Sequence, residues 1–143
     1  MSSVSYEAWM QAQQSVLGSV LIDDRCASFL VFGLAEEDFC ESYRSLYRAI
    51  RELYTTGKPV DPVAVLNVVG DSYKDFIVQL MSITPTAANC KMYVDIVKQQ
   101  SRVLKLRDTG LALSRISTEE EGAELLANAA SETVRDDGDV WSL

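Results

Sequence analysis

Apolar residues recur along this chain at spacings of three and four, the period of helices that bury one face. Trp9, Ala12, Gln13, Val16, Leu17, Val20 and Leu21 share such a face over residues 6–22, with Ser5 placed to cap the start. Gly18 sits inside this helix, where it costs about 1 kcal/mol relative to Ala, so close approach of another backbone is the expected compensation. Residues 26–32 predict a second helix ended by Gly33. Residues 42–56 carry Tyr43, Leu46, Tyr47, Ile50, Leu53 and Tyr54 on one side, with Gly57 as the C-terminal stop. Asp61-Pro62 supplies an N-cap followed by proline at the first helical position, for a helix that stops at Gly70. A fifth helix spans residues 71–81, and Thr84-Pro85-Thr86 interrupts the chain.

Past that break the pattern changes. Residues 87–116 contain no proline and one glycine, Gly110, which allows a single helix of roughly 30 residues, near 45 Å long. Ser117-Thr118 breaks it. Thr118 and Glu121 then have the spacing of a capping box for a last helix reaching about Val134. Two helices joined by so short a turn pack antiparallel. The fold class is therefore all-α: a compact bundle of about five helices, residues 5–84, followed by a projecting helical hairpin, residues 86–135. Residues 136–143 read as the start of a linker.

The long helix is apolar on two sides. Tyr93, Val97, Leu104 and Leu111 form one stripe, expected to pack against the hairpin partner. Leu106, Leu113 and Ile116, with Val103 beside them, lie nearly opposite, since two residues advance about 200° around a helix. A helix apolar on two sides does not stay bare in water, so this second stripe is the candidate oligomer or partner interface, with Phe76 added from the body. Geometry alone allows the two stripes to exchange roles, and the body itself could cover the second one.

Charge sharpens the picture. The net charge is −8, but the segment 91–115 is net +4 and the segment 116–143 net −7. A basic helix followed by an acidic one points to complementarity within one hairpin or between two chains, and the overall balance leaves little room for direct DNA binding. No apolar run reaches the roughly 20 residues of a membrane span. Three scattered cysteines, Cys26, Cys40 and Cys90, fit buried thiols in a reduced, cytoplasmic protein. Histidine is absent, which removes the usual neutral-pH base and the commonest metal ligand. The only Gly-Lys, Gly57-Lys58, is followed by proline and is a helix stop rather than a phosphate loop. The Glu36-Glu37-Asp38 run reads as the acidic start of a helix. No catalytic residue, metal site or cofactor site is expected.

Three segments carry a family resemblance. Residues 12–23, Ala-Gln-Gln-Ser-Val-Leu-Gly-Ser-Val-Leu-Ile-Asp, resemble the opening helix of the N-terminal domain of DnaB-type replicative DNA helicases, which usually has Glu-Gln where this chain has Gln13-Gln14. The second match is Glu37-Asp38-Phe39, then residues 43–50, Leu53-Tyr54 and residues 57–61; here Tyr43-Arg44 stands where the family often has His-Arg. The third is residues 85–89, Pro-Thr-Ala-Ala-Asn, followed by Tyr93, Ile96 and Val97. The resemblance implies a non-catalytic collar domain. Its hairpins would pair into homodimers within a hexameric ring, and it would dock the C-terminal domain of DnaG-type primase and, in some systems, a helicase loader. ATP and Mg would belong to a motor domain that lies outside this chain. The alternative is a stand-alone regulator or loader that mimics the domain and binds helicase or primase.

Overall fold

The computed structural model describes the backbone of residues 2–141 and the side chains of residues 6–131. The described residues form seven α-helices joined by turns and short 3-10 segments. The helices are α1 (Ser2–Ile22), α2 (Ala27–Gly33), α3 (Arg44–Thr55), α4 (Pro62–Val69), α5 (Lys74–Ser82), α6 (Cys90–Leu113) and α7 (Glu119–Trp141). The chain divides into two compact units, residues 1–101 and 102–143. The boundary falls inside α6, whereas the pattern of apolar residues alone places it at residues 84–86.

Within the first unit, buried apolar residues from α1 to the first half of α6 make one core, with Val16, Leu17, Val20, Ala27, Leu30, Phe39, Ala49, Val65 and Val97 fully enclosed. The α1 face foreseen from the sequence is the face that is buried, including Gln13. Its amide is satisfied: Cys40 N donates to Gln13 Oε1 at 2.8 Å. The Gly18 expectation is met by α5. A Cβ on Gly18 would collide with the Thr84 side chain and lie 2.7 Å from the Leu80 carbonyl oxygen, so the two backbones approach as only glycine permits.

Several element ends follow the local chemistry read from the sequence. Asp61 Oδ1 accepts the Ala64 N–H at 2.8 Å, with Pro62 at the first helical position of α4, and Gly70 ends that helix. Gly57 has φ +73, and the Lys58 N–H reaches the Leu53 carbonyl at 2.9 Å, closing the left-handed C-terminal cap of α3. Three ends differ. α1 already runs from Ser2, which puts Ser5 inside the helix rather than at its cap. Gly33 does not adopt positive φ; it is the last residue of α2, and a Cβ there would lie 2.8 Å from Val94 Cγ1, so its smallness serves packing. α7 continues through residues 136–141, where a linker was expected.

Candidate interaction surface

No group of three or more histidine, cysteine or acidic side chains able to hold a metal occurs among the described residues, and none of their helices is long and apolar enough to cross a membrane. An open cleft of about 440 Å³ is lined by Asp23, Arg25, Cys26, Phe29, Thr86, Ala87 and Ala88. Its charged groups are spent on each other: Arg25 Nη2 donates to Asp23 Oδ2 at 2.8 Å, and the same guanidinium holds the Asp23 carboxyl below the usual range. Burial pushes the Cys26 thiol up, and the Cys90 thiol up to about 12, so neither is a ready nucleophile at neutral pH. Asp38, at the end of the acidic run, folds its carboxylate back to accept the Ala35 N–H at 2.8 Å. That is a structural use of the acidic start.

The sequence-selected residues of the hairpin separate into three groups. Tyr93 and Val97 were expected to hold the hairpin together. Instead Val97 is buried in the core of the first unit and Tyr93 packs against that core. The buried face of α6 is Cys90, Val94, Val97 and Ser101, turned by about 50° from the expected stripe, because this half of the helix serves the body. Phe76 likewise packs within the first unit, stacked on the Tyr43 ring with centroids 5.3 Å apart, and is only partly exposed. Tyr43 in turn accepts a hydrogen bond at its hydroxyl from Gln14 Nε2, at 2.8 Å.

In the second unit the roles expected of the two stripes are partly exchanged. A Cβ on Gly122 would meet Ile116 Cδ1 at 3.0 Å and Leu113 Cδ2 at 3.8 Å, so Leu113 and Ile116 lie over α7 at the hairpin turn. Thr118 Oγ1 caps α7 by accepting the Glu121 N–H at 3.2 Å, while the Glu121 carboxylate takes the Ser117 N–H at 3.1 Å, one residue earlier than a strict capping box requires. Leu111, assigned to the inner stripe, is 57% exposed, and Leu106, on the opposite side, is 53% exposed. Val103 and Leu104 are half-buried. The face between the two leucine stripes carries Arg102, Lys105, Thr109 and Ala112, all half-buried. Each stripe thus keeps an uncovered leucine. On α7 itself, Leu126 is 57% exposed.

Residues 7–99 match the family model for the DnaB-like helicase N-terminal domain. The chain belongs to that family. The chain is 29% identical over 131 residues to the replicative DNA helicase DnaB of Leifsonia xyli, covering 85% of this chain and 29% of that protein. It is 26% identical over 134 residues to the replicative DNA helicase DnaC of Bacillus subtilis, covering 87% of this chain and 30% of that protein. The chain thus spans about three tenths of the length of these relatives. Among solved structures, the N-terminal domain of DnaB helicase from Mycobacterium tuberculosis superposes with a TM-score of 0.70 at 27% identity, covering 89% of this chain and 96% of that one. The family match ends at Gln99, still within the first unit. The family model thus stops short of the second unit, whereas the alignments to the relatives and to the solved domain reach into it.

Proposed function

We propose that this chain acts as a collar domain of a replicative DNA helicase: it joins copies of the helicase through the helical hairpin and presents a docking surface to primase or a loader. The observation that carries the proposal is the second unit's composition. Leu106, Leu111 and Leu126 are each more than half exposed, while Gly122 is the only buried residue among positions 102–131. Exposed leucines on both sides of one helix, next to an acidic α7, fit a surface completed by another chain. On this reading the chain performs no catalysis, and ATP and Mg act in a motor elsewhere in the helicase.

The partner chemistry follows from the same surface and from the family. A second copy would bury the leucines and set the basic segment of α6 against acidic α7. The C-terminal domain of DnaG-type primase is the proposed docking partner of the assembled collar. Calorimetric titration with that primase domain, run beside sedimentation of the chain alone, tests both parts. Self-association together with saturable primase binding is the expected result. A monomer that binds nothing would overturn the collar reading. A monomer that binds the helicase motor or primase would favour the stand-alone regulator.

A further inference from the structure

The buried face of α6 has one residue per turn: Cys90, Val94, Val97 and Ser101. The first three rungs pack as apolar groups in the core of the first unit, but the last is a hydroxyl. Ser101 Oγ donates to Asp38 Oδ1 at 2.8 Å, with both residues buried. The other carboxylate oxygen holds the Ala35 N–H at 2.8 Å, and the Asp38 carbonyl accepts the Trp9 indole N–H at 2.8 Å. A single residue in the 3-10 turn Glu36–Asp38 therefore ties together α1, its own turn and α6. Beyond Ser101 no residue of α6 is buried, so this bond sits at the last turn the first unit holds.

Apolar rungs alone tolerate small rotations and slips, because hydrophobic contact has no direction. A buried carboxylate does not. A turned or shifted helix would break this directional hydrogen bond between two buried groups. We propose that Asp38 and Ser101 form a polar clasp that fixes the rotation and register of residues 90–101 of α6 within the first unit, with Ser101 as the positioning residue. The clasp is independent of whether hairpins of two chains pair.

Amide hydrogen exchange on the full chain and on Ser101→Ala and Ser101→Thr tests this, at a concentration where sedimentation shows all three in one oligomeric state. In Ser101→Ala the amides of about residues 98–105 should exchange roughly tenfold faster, the scale of one lost hydrogen bond to a charged group. Amides of α1 and α3 should keep their rates. Ser101→Thr, which retains the hydroxyl, should restore protection at residues 98–105. Three results would overturn the clasp: unchanged exchange at those residues, an equal rise throughout α1 and α3, or a threonine variant as fast as the alanine one.

Discussion

The two units solve the problem of folding in water differently. In the first, twenty-three apolar residues between Ala12 and Val97 are buried in one cluster, and the buried Gln13, Asp38 and Ser101 beside them are hydrogen-bonded. In the second, positions 102–131 bury only Gly122, and the face of α6 between its leucine stripes carries Arg102 and Lys105. The first unit can draw its stability from its own core. The second has two long helices on which Leu106, Leu111 and Leu126 stay more than half exposed. A surface that a domain does not use for itself is the natural place for another chain to bind, which is why the proposed function rests on the second unit rather than on the better-packed first.

The sharpest way to break this contrast is to damage the core. Gly18→Ala places a methyl against Thr84 and the Leu80 carbonyl, where backbone leaves little room to yield. A loss of about 3 kcal/mol is expected from such overpacking, read as a lowered urea midpoint. An unchanged midpoint would mean that α1 and α5 do not meet as described. Tyr47→Phe removes the 2.6 Å bond from the Tyr47 hydroxyl to the Leu34 carbonyl and leaves a buried acceptor bare. About 1–2 kcal/mol should be lost in the same assay.

Changes in the second unit should behave in the opposite way. Gly110 lies in the exposed interior of α6, where an added Cβ would meet no atom within 4 Å, so Gly110→Ala should stabilise that helix by about 1 kcal/mol. Thermal melting by circular dichroism would detect it, and destabilisation would show that α6 needs glycine there for contact. The smallest effect at neutral pH comes from the thiols. Burial favours the neutral Cys90, raising it from 9.0 to about 12, so its contribution to stability is complete below pH 9 and is lost as pH rises towards 12. Equilibrium unfolding in alkali should show this slope, and Cys90→Ala should flatten it.

Much of the first unit was legible in the sequence because its signals are local. Asp61-Pro62, Gly57 and Gly70 dictate backbone geometry within a few residues, and the period of Val16, Leu17, Val20 and Leu21 identifies one face without reference to partners. Gly18 announced a close approach, though not that α5 would supply it. What the pattern could not resolve is which of several apolar neighbours covers a given face. Tyr93 and Val97 share a heptad stripe with Leu104 and Leu111, yet the body claims the first pair and leaves Leu111 exposed. The buried stripe of α6 was also hidden by its chemistry: Cys90 and Ser101 are weak hydrophobic signals, and the buried Ser101 hydroxyl finds its partner in Asp38, sixty-three residues earlier. The exchange at Leu113 and Ile116 has a similar origin, since Gly122 opens room on α7 that no periodicity in α6 reveals.

We propose that the first unit folds on its own core while the leucines of the second join chains. Sedimentation equilibrium of the chain beside the double variant Leu106→Glu and Leu111→Glu tests it most directly, with urea unfolding as a control. An associated wild type is expected, with a monomeric variant whose unfolding free energy stays within about 0.5 kcal/mol, as for substitutions at exposed positions. Equal masses for the two proteins would contradict it.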